Sequence, residues 1–258
     1  MKTKQKIAII SIIISIIVIS SITILNPQLI DRAFYRMGLQ EQICFPVINE
    51  EFQSDNVINI VAAGDFGINE NSIKTLKNIR SSNPEVILML GDLGQSTSKD
   101  WIELSELMDR SKMYITLGDS DLLERNDYLK YSAITDDYYS FDYQNIHFLA
   151  ISTNEEKNNE FGILSDVIQI DFIKDDLSNA ADDPKTDWIV VFLHHPMYSS
   201  ISDLSSIDLR SLLQPTFDLY GVDLVINGHK HVYERTNPVT FNNTITDNEN
   251  CSYDDPNG

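Results

Sequence analysis

Five times along this chain a short apolar run stops at a glycine–aspartate pair or at a histidine. Residues 57–63 end at Gly64-Asp65-Phe66-Gly67, residues 85–90 at Gly91-Asp92-Leu93-Gly94-Gln95, and residues 113–117 at Gly118-Asp119-Ser120-Asp121. Residues 188–193 end at His194-His195-Pro196, and residues 222–226 run into Gly228-His229-Lys230-His231. Apolar runs of this length, bounded by turn residues, read as strands buried on both faces. Between them lie stretches with helical period: residues 71–80, residues 99–110 with Trp101, Leu104, Leu107 and Met108 on one face, and residues 166–177. Ser206 is read as the cap of another helix whose first turns end near Pro215, with a second segment over 216–220. Residues 138–143 and 145–152 form a predicted hairpin turning at Gln144-Asn145. Strands alternating with helices imply parallel pairing through helical crossovers, with the ligand site at the carboxyl ends of the strands.

That is where Asp65, Asp92 and Asp119 fall. Bare carboxylates gathered at one spot repel one another, and a cation is the natural resolution. His229 and His231, at i and i+2 on extended chain, share one face, and Gly228 lets the backbone turn sharply before them. Neutral imidazole is a common metal ligand, so the run reads either as half of a metal site or as a loop carrying two surface histidines. His147, inside the second hairpin strand, reads as structural.

The charge balance narrows the partners. With 39 acidic against 19 basic residues the net charge is −20. No basic stripe exists, which argues against binding nucleic acid. The two cysteines, Cys44 and Cys251, sit far apart and outside any metal-binding spacing, so a disulfide between them depends on an oxidising compartment.

Lys2, Lys4 and Lys6 precede the uncharged run 7–25, whose 19 residues would span about 28 Å as a helix, close to a bilayer core. The lysines before it put the N-terminus in the cytoplasm and the rest of the chain outside. Expected, then, are a signal-anchor over 1–25, a juxtamembrane linker over 26–56 and a domain over 57–258. The protein would be single-pass and extracytoplasmic, or secreted if the apolar segment is cleaved.

In order and spacing, residues 57–240 resemble the calcineurin-like metallophosphoesterases, and within them the purple acid phosphatases. The resemblance is carried by Gly64-Asp65-Phe66-Gly67, Gly91-Asp92, Gly118-Asp119-Ser120-Asp121, the run 191–194 and Gly228-His229-Lys230-His231, followed by Val232-Tyr233-Glu234-Arg235. It implies an α/β fold of four layers, an αββα sandwich of two mixed sheets flanked by helices. It also implies two metal ions, of iron, manganese or zinc, at the strand ends. Asp65 and His231 would hold the first ion, Asp92 would bridge both, and Asp119, His194 and His229 would hold the second. Asp92, Asp119 and His195 are the candidate catalytic residues, His195 as part of the pocket wall. The expected substrate is a phosphate monoester, small or on a larger phosphorylated partner, attacked by a hydroxide held on the metals.

Several departures from the family pattern bear on activity. Gln95 stands where the purple enzymes have a tyrosine ligand, and Gly67 where related enzymes have a histidine. Asp119 replaces an asparagine, adding negative charge beside the second ion. Ser120 replaces a histidine that can protonate the leaving group, a loss that typically costs about 10²–10⁴ in rate. After residues 239–241 the chain turns polar and acidic, so the domain either ends short or is truncated. These features support an alternative reading: a metal-binding but catalytically weak surface protein on the same fold.

Overall fold

The computed structural model describes residues 57–94, 97–153, 167–200, 204–236, 238–240 and 243–244. The expected signal-anchor, the linker, both cysteines and Gln95 lie outside the described residues. Among the described residues no helix is long and apolar enough to cross a membrane.

The chain runs β1 (Ile60–Ala63), α1 (Glu70–Ser81), β2 (Val86–Leu90), α2 (Ser98–Ser105), β3 (Met113–Thr116) and α3 (Arg125–Ser132). There follow β4 (Tyr139–Tyr143), β5 (Ile146–Ile151), α4 (Val167–Asp182), β6 (Trp188–Leu193), α5 (Leu204–Tyr220) and β7 (Leu224–Asn227). A short hairpin, β8 (Val239–Thr240) and β9 (Asn243–Thr244), ends the described chain.

Two sheets form. One is β1-β2-β3, parallel throughout. The other is β4-β5-β6-β7, antiparallel at the hairpin and parallel beyond it. Among the described residues only the second is therefore mixed, which corrects the expectation of two mixed sheets. The physical reason is that α1 and α2 carry the chain back across the sheet after β1 and β2, and such crossovers leave consecutive strands parallel.

Side-chain alternation explains the apolar runs. On β2, Ile87 and Met89 face the cluster containing Leu76 and Ile79 of α1 and Trp101 of α2, while Val86, Leu88 and Leu90 face the second sheet. On β6, Ile189, Val191 and Leu193 pack with Ile173, Leu177, Leu209, Leu213 and Phe217 of α4 and α5. Its Val190 and Phe192 turn inward to the first sheet. The result is helices, sheet, sheet, helices, the four layers expected. Ring stacking seals the middle layer, with Phe141 against Tyr114 at 3.5 Å and against Phe148 at 4.8 Å between centroids. The Tyr139 hydroxyl ties the sheets together: it donates to Ile115 O at 2.8 Å and accepts from Ile115 N at 2.9 Å, satisfying both backbone groups on the outer side of β3.

Several helices differ from expectation: α3 is not among the helices expected from the sequence, and α4 runs on to Asp182. The helix read over 99–110 stops at Ser105, and Met108 completes the core from a turn whose N–H bonds Ser105 O at 2.9 Å. α5 begins at Leu204, so Ser206 lies inside it, and it passes through Pro215 unbroken to Tyr220. Its apolar face (Leu209, Leu213, Phe217) is buried against the second sheet on both sides of the proline. Burial on that scale outweighs the roughly 3 kcal/mol that an interior proline costs.

Candidate metal centre

β1, β2, β3, β6 and β7 all deliver their carboxyl ends to one region, through loops that are bonded to each other. Asp65 N donates to Gly91 O at 3.0 Å, Phe66 N to Asp92 O at 2.8 Å, and Gly228 N to His194 O at 3.0 Å. Tight packing of these loops depends on glycine. A Cβ on Gly91 would lie 2.6 Å from both Gly118 N and His194 Nδ1, and one on Gly228 would lie 2.8 Å from Asp65 Oδ2. The backbone is unusual as well: Asp65 (φ 56°), Asp92 (φ 48°), His229 (φ 75°) and His231 (φ 52°) are all left-handed. Non-glycine residues in that region cost about 1–3 kcal/mol each and persist where surrounding structure imposes them, most often at functional sites.

His194 is fully buried, and its Nδ1 lies 2.7 Å from Leu90 O. A carbonyl can only accept, so Nδ1 carries the proton and Nε2 points a lone pair into the site. Burial, helped by the neighbouring His195, holds the His194 pKa below the ordinary histidine value and keeps the ring neutral. Its Nε2 lies 3.3 Å from His229 Nδ1 and 3.7 Å from Asp92 Oδ1. Asp92 Oδ1 also accepts from Ser120 N and Ser120 Oγ, each at 2.9 Å. Asp65 takes His229 N on both oxygens, at 3.1 and 2.9 Å, and His231 Nε2 stands 3.5 Å from its Oδ1. Burial raises the Asp65 pKa, against the opposing pull of His194, the His229 N–H and His231.

Asp119 lies between His195 and His229, with Oδ1 2.8 Å from His195 Nε2 and Oδ2 3.6 Å from His229 Nδ1. Burial pushes the Asp119 carboxyl up, but its close contact with His195, helped by His229, outweighs that and leaves it below the ordinary range. Under this layer, Asp121 is wholly buried and accepts from Leu93 N at 3.0 Å and Gly118 N at 2.8 Å, pinning the β2 and β3 loops together. Burial pushes its pKa up to about 6.

The residues fall into two groups able to hold a cation, each with its ligand atoms within 4.8 Å of one another: Asp119, His194, His195 and His229, and Asp65, Asp92 and His194. The donor set fits a metal ion. Carboxylates and lone-pair imidazole nitrogens converge, and two buried atoms, Asp119 Oδ1 and His195 Nε2, approach closely without a hydrogen bond. Five strand-end candidates (Asp65, Asp92, Asp119, His194 and His229) are thus brought to one place, with His231 beside Asp65 at its edge. The arrangement adds one residue to the expected set: His195 stands with the second group as well as in the wall. His231 stands at the rim, 61% exposed, beside Asp65, with which it was expected to share an ion. Sequence reasoning missed Thr153, whose Oγ1 lies 2.8 Å from His195 Nδ1. Nothing in its sequence context marks it, since the contact spans two strands.

His147 is structural as expected, held between Asp142 at 2.7 Å and Asp176 at 2.9 Å.

Comparison with known proteins places the chain in a family. The family model "Calcineurin-like phosphoesterase" matches residues 58–233. Purple acid phosphatase 21 of Arabidopsis thaliana is 26% identical over 208 residues, covering 70% of this chain and 46% of its own length. Phosphoenolpyruvate phosphatase of Allium cepa is 24% identical over 202 residues, covering 67% and 40%. The chain spans about half or less of these relatives' length. Among solved structures, "GAP50 the anchor in the inner membrane complex of Plasmodium" shares the fold, with a TM-score of 0.52, 20% identity, and coverage of 67% of this chain and 65% of that one.

Proposed function

The chain belongs to the calcineurin-like phosphoesterase family, in its purple acid phosphatase-like branch, and on that premise we propose that it hydrolyses phosphate monoesters at a two-metal site. One observation carries the proposal: two groups of metal-ligating side chains meet at His194 where the strands end. Asp65 and Asp92 would serve one ion, with His231 at the rim, and Asp119, His194 and His229 the other. Bound there, two cations would neutralise an ester's phosphate charge and acidify a water for in-line attack. The protein's own part is placement. Ser120 N and Oγ fix Asp92 Oδ1, and Leu90 O fixes the tautomer and plane of His194. The neutral His194 ring keeps its lone pair available at neutral pH. Ser120 offers no proton of useful acidity, so esters whose leaving groups need none, such as aryl phosphates, are the favoured substrates. Iron, manganese and zinc all suit a mixed carboxylate–imidazole set. The same reading has the domain outside the cytoplasm, tethered by residues 7–25; its support is the lysines before that run.

Ser120 also supports a second reading, a metal-holding protein with little turnover. The test is release of an activated phenol from an aryl phosphate by the chain stripped of metal and reloaded with each metal in turn. Turnover that needs metal and disappears in Asp92→Ala is expected. A folded chain that holds metal yet turns over no aryl phosphate would replace this proposal with the second reading.

A further inference from the structure

Resting on the metal-dependent reading of the same site, we infer that His195 is itself a metal ligand. The ion on the Asp119 side is then bound by three imidazoles and one carboxylate, and that side fills first. His195 is 1% exposed, so its ring cannot swing out to water. Its Nε2 is buried, lies 2.8 Å from Asp119 Oδ1 off hydrogen-bonding alignment, and has no hydrogen-bond partner. Two buried polar atoms that approach without bonding leave each other unsatisfied, and a shared cation between Asp119, His194, His195 and His229 satisfies both. The rings already surround such a point: His195 and His229 centroids are 4.4 Å apart, and His194 lies 5.0 and 5.1 Å from them.

Thr153 makes the ligand role chemically possible. Its hydroxyl oxygen sits 2.8 Å from His195 Nδ1 and accepts the His195 backbone N–H at 3.3 Å. A hydroxyl can either donate to Nδ1 or accept from it. Without metal the ring proton can rest on Nε2, facing Asp119. With metal it rests on Nδ1 and donates to Thr153, freeing the Nε2 lone pair.

The order of filling follows from His194. A neutral imidazole with Nδ1 committed to Leu90 O has one lone pair to give, and both groups contain that ring. If it goes to the imidazole-rich side, the other side keeps Asp65 and Asp92, with His231 at the rim. Three nitrogens and one oxygen suit a tetrahedral, zinc-like ion. An oxygen-dominated remainder holds its ion more weakly.

The test is X-ray absorption fine structure of the full chain with one equivalent of zinc, together with zinc titrations of variants. Three imidazoles per zinc are expected, a count that needs no variant to fold. Two imidazoles per zinc would overturn the inference. Thr153→Val should weaken the first zinc about 10–100-fold and His195→Gln at least about as much. First-site affinity unchanged in both His195→Gln and Thr153→Val would also overturn it, and that result would leave the phosphoesterase proposal standing. No zinc bound by the folded wild type would overturn it too, and turnover with iron or manganese in that case would leave the phosphoesterase proposal standing.

Discussion

Gly118→Ala tests whether the site's placement depends on the closeness of its loops. Gly118 has ordinary extended φ (−104°), so a larger residue meets no backbone strain there, and its effect is purely steric. An added Cβ would lie 2.7 Å from His194 Cε1 and closer still to Asp92 N and Oδ1, where ordinary contact begins at 3.4 Å. The deficit is about 0.7 Å at His194 and more at Asp92. Neither neighbour can yield freely. His194 is fully buried and bonded to Leu90 O, while Asp92 Oδ1 is held by Ser120 and its carbonyl by Phe66 N. Relief must therefore move the β2 or β3 loop by a sizeable fraction of an ångström. Overpacking of this kind costs about 1–3 kcal/mol of stability. A misplacement near 1 Å at a reacting centre costs about 10²-fold in rate. The expected result is a folded protein with a modestly lowered urea midpoint, weakened metal binding by titration, and aryl phosphate turnover reduced about 10- to 100-fold. Wild-type metal affinity and turnover in Gly118→Ala would show that the loops are looser than described, and the argument from close approach would fail.

Two further outcomes follow from other parts of the molecule. Ser120 is exposed, so Ser120→His has room, and it should raise turnover on alkyl phosphates by about 10²-fold or more while changing aryl phosphates far less; equal gains on both would mean that leaving-group protonation is not what the serine lacks. Burial alone would lower the His147 pKa, but hydrogen bonds to Asp176 and Asp142 outweigh it and raise the folded value. Stability from that clamp is then fully present below the unfolded histidine value, near 6.5, and is lost as pH rises through the higher folded value. Melting temperature should fall across that window in wild type and be flat in His147→Phe, and parallel curves would dismiss the clamp.

Much of this was legible in the chain because strand burial on two faces leaves a plain mark. The run Trp188–Leu193 is apolar throughout, and it is a strand over those same residues. Asp65, Asp92, Asp119 and His194 stand where such strands end, so their convergence follows from topology alone. What stayed hidden depends on contacts between distant residues. Pro215 looks like a helix end locally, and only the burial of Leu213 and Phe217 on either side keeps α5 running. The place of His195 is decided by Thr153 and Asp119, from other strands, and the position of His231 by how far its ring stands out at the rim. Glu234 is another example: it binds Ser199 Oγ at 2.8 Å and Ser200 N at 2.9 Å, joining the loop after β6 to the one after β7, which no local pattern foretells.

The left-handed backbone at Asp65, Asp92, His229 and His231 sets the protein's tolerance to heat against its chemistry. Glycine adopts that conformation without steric cost, and asparagine and aspartate more readily than most. A screen that rewarded thermal resistance alone would drive these positions toward glycine, the two histidines first, where each change relieves about 1 kcal/mol of strain. The most thermostable descendants of this sequence would then be the ones least able to hold a metal ion.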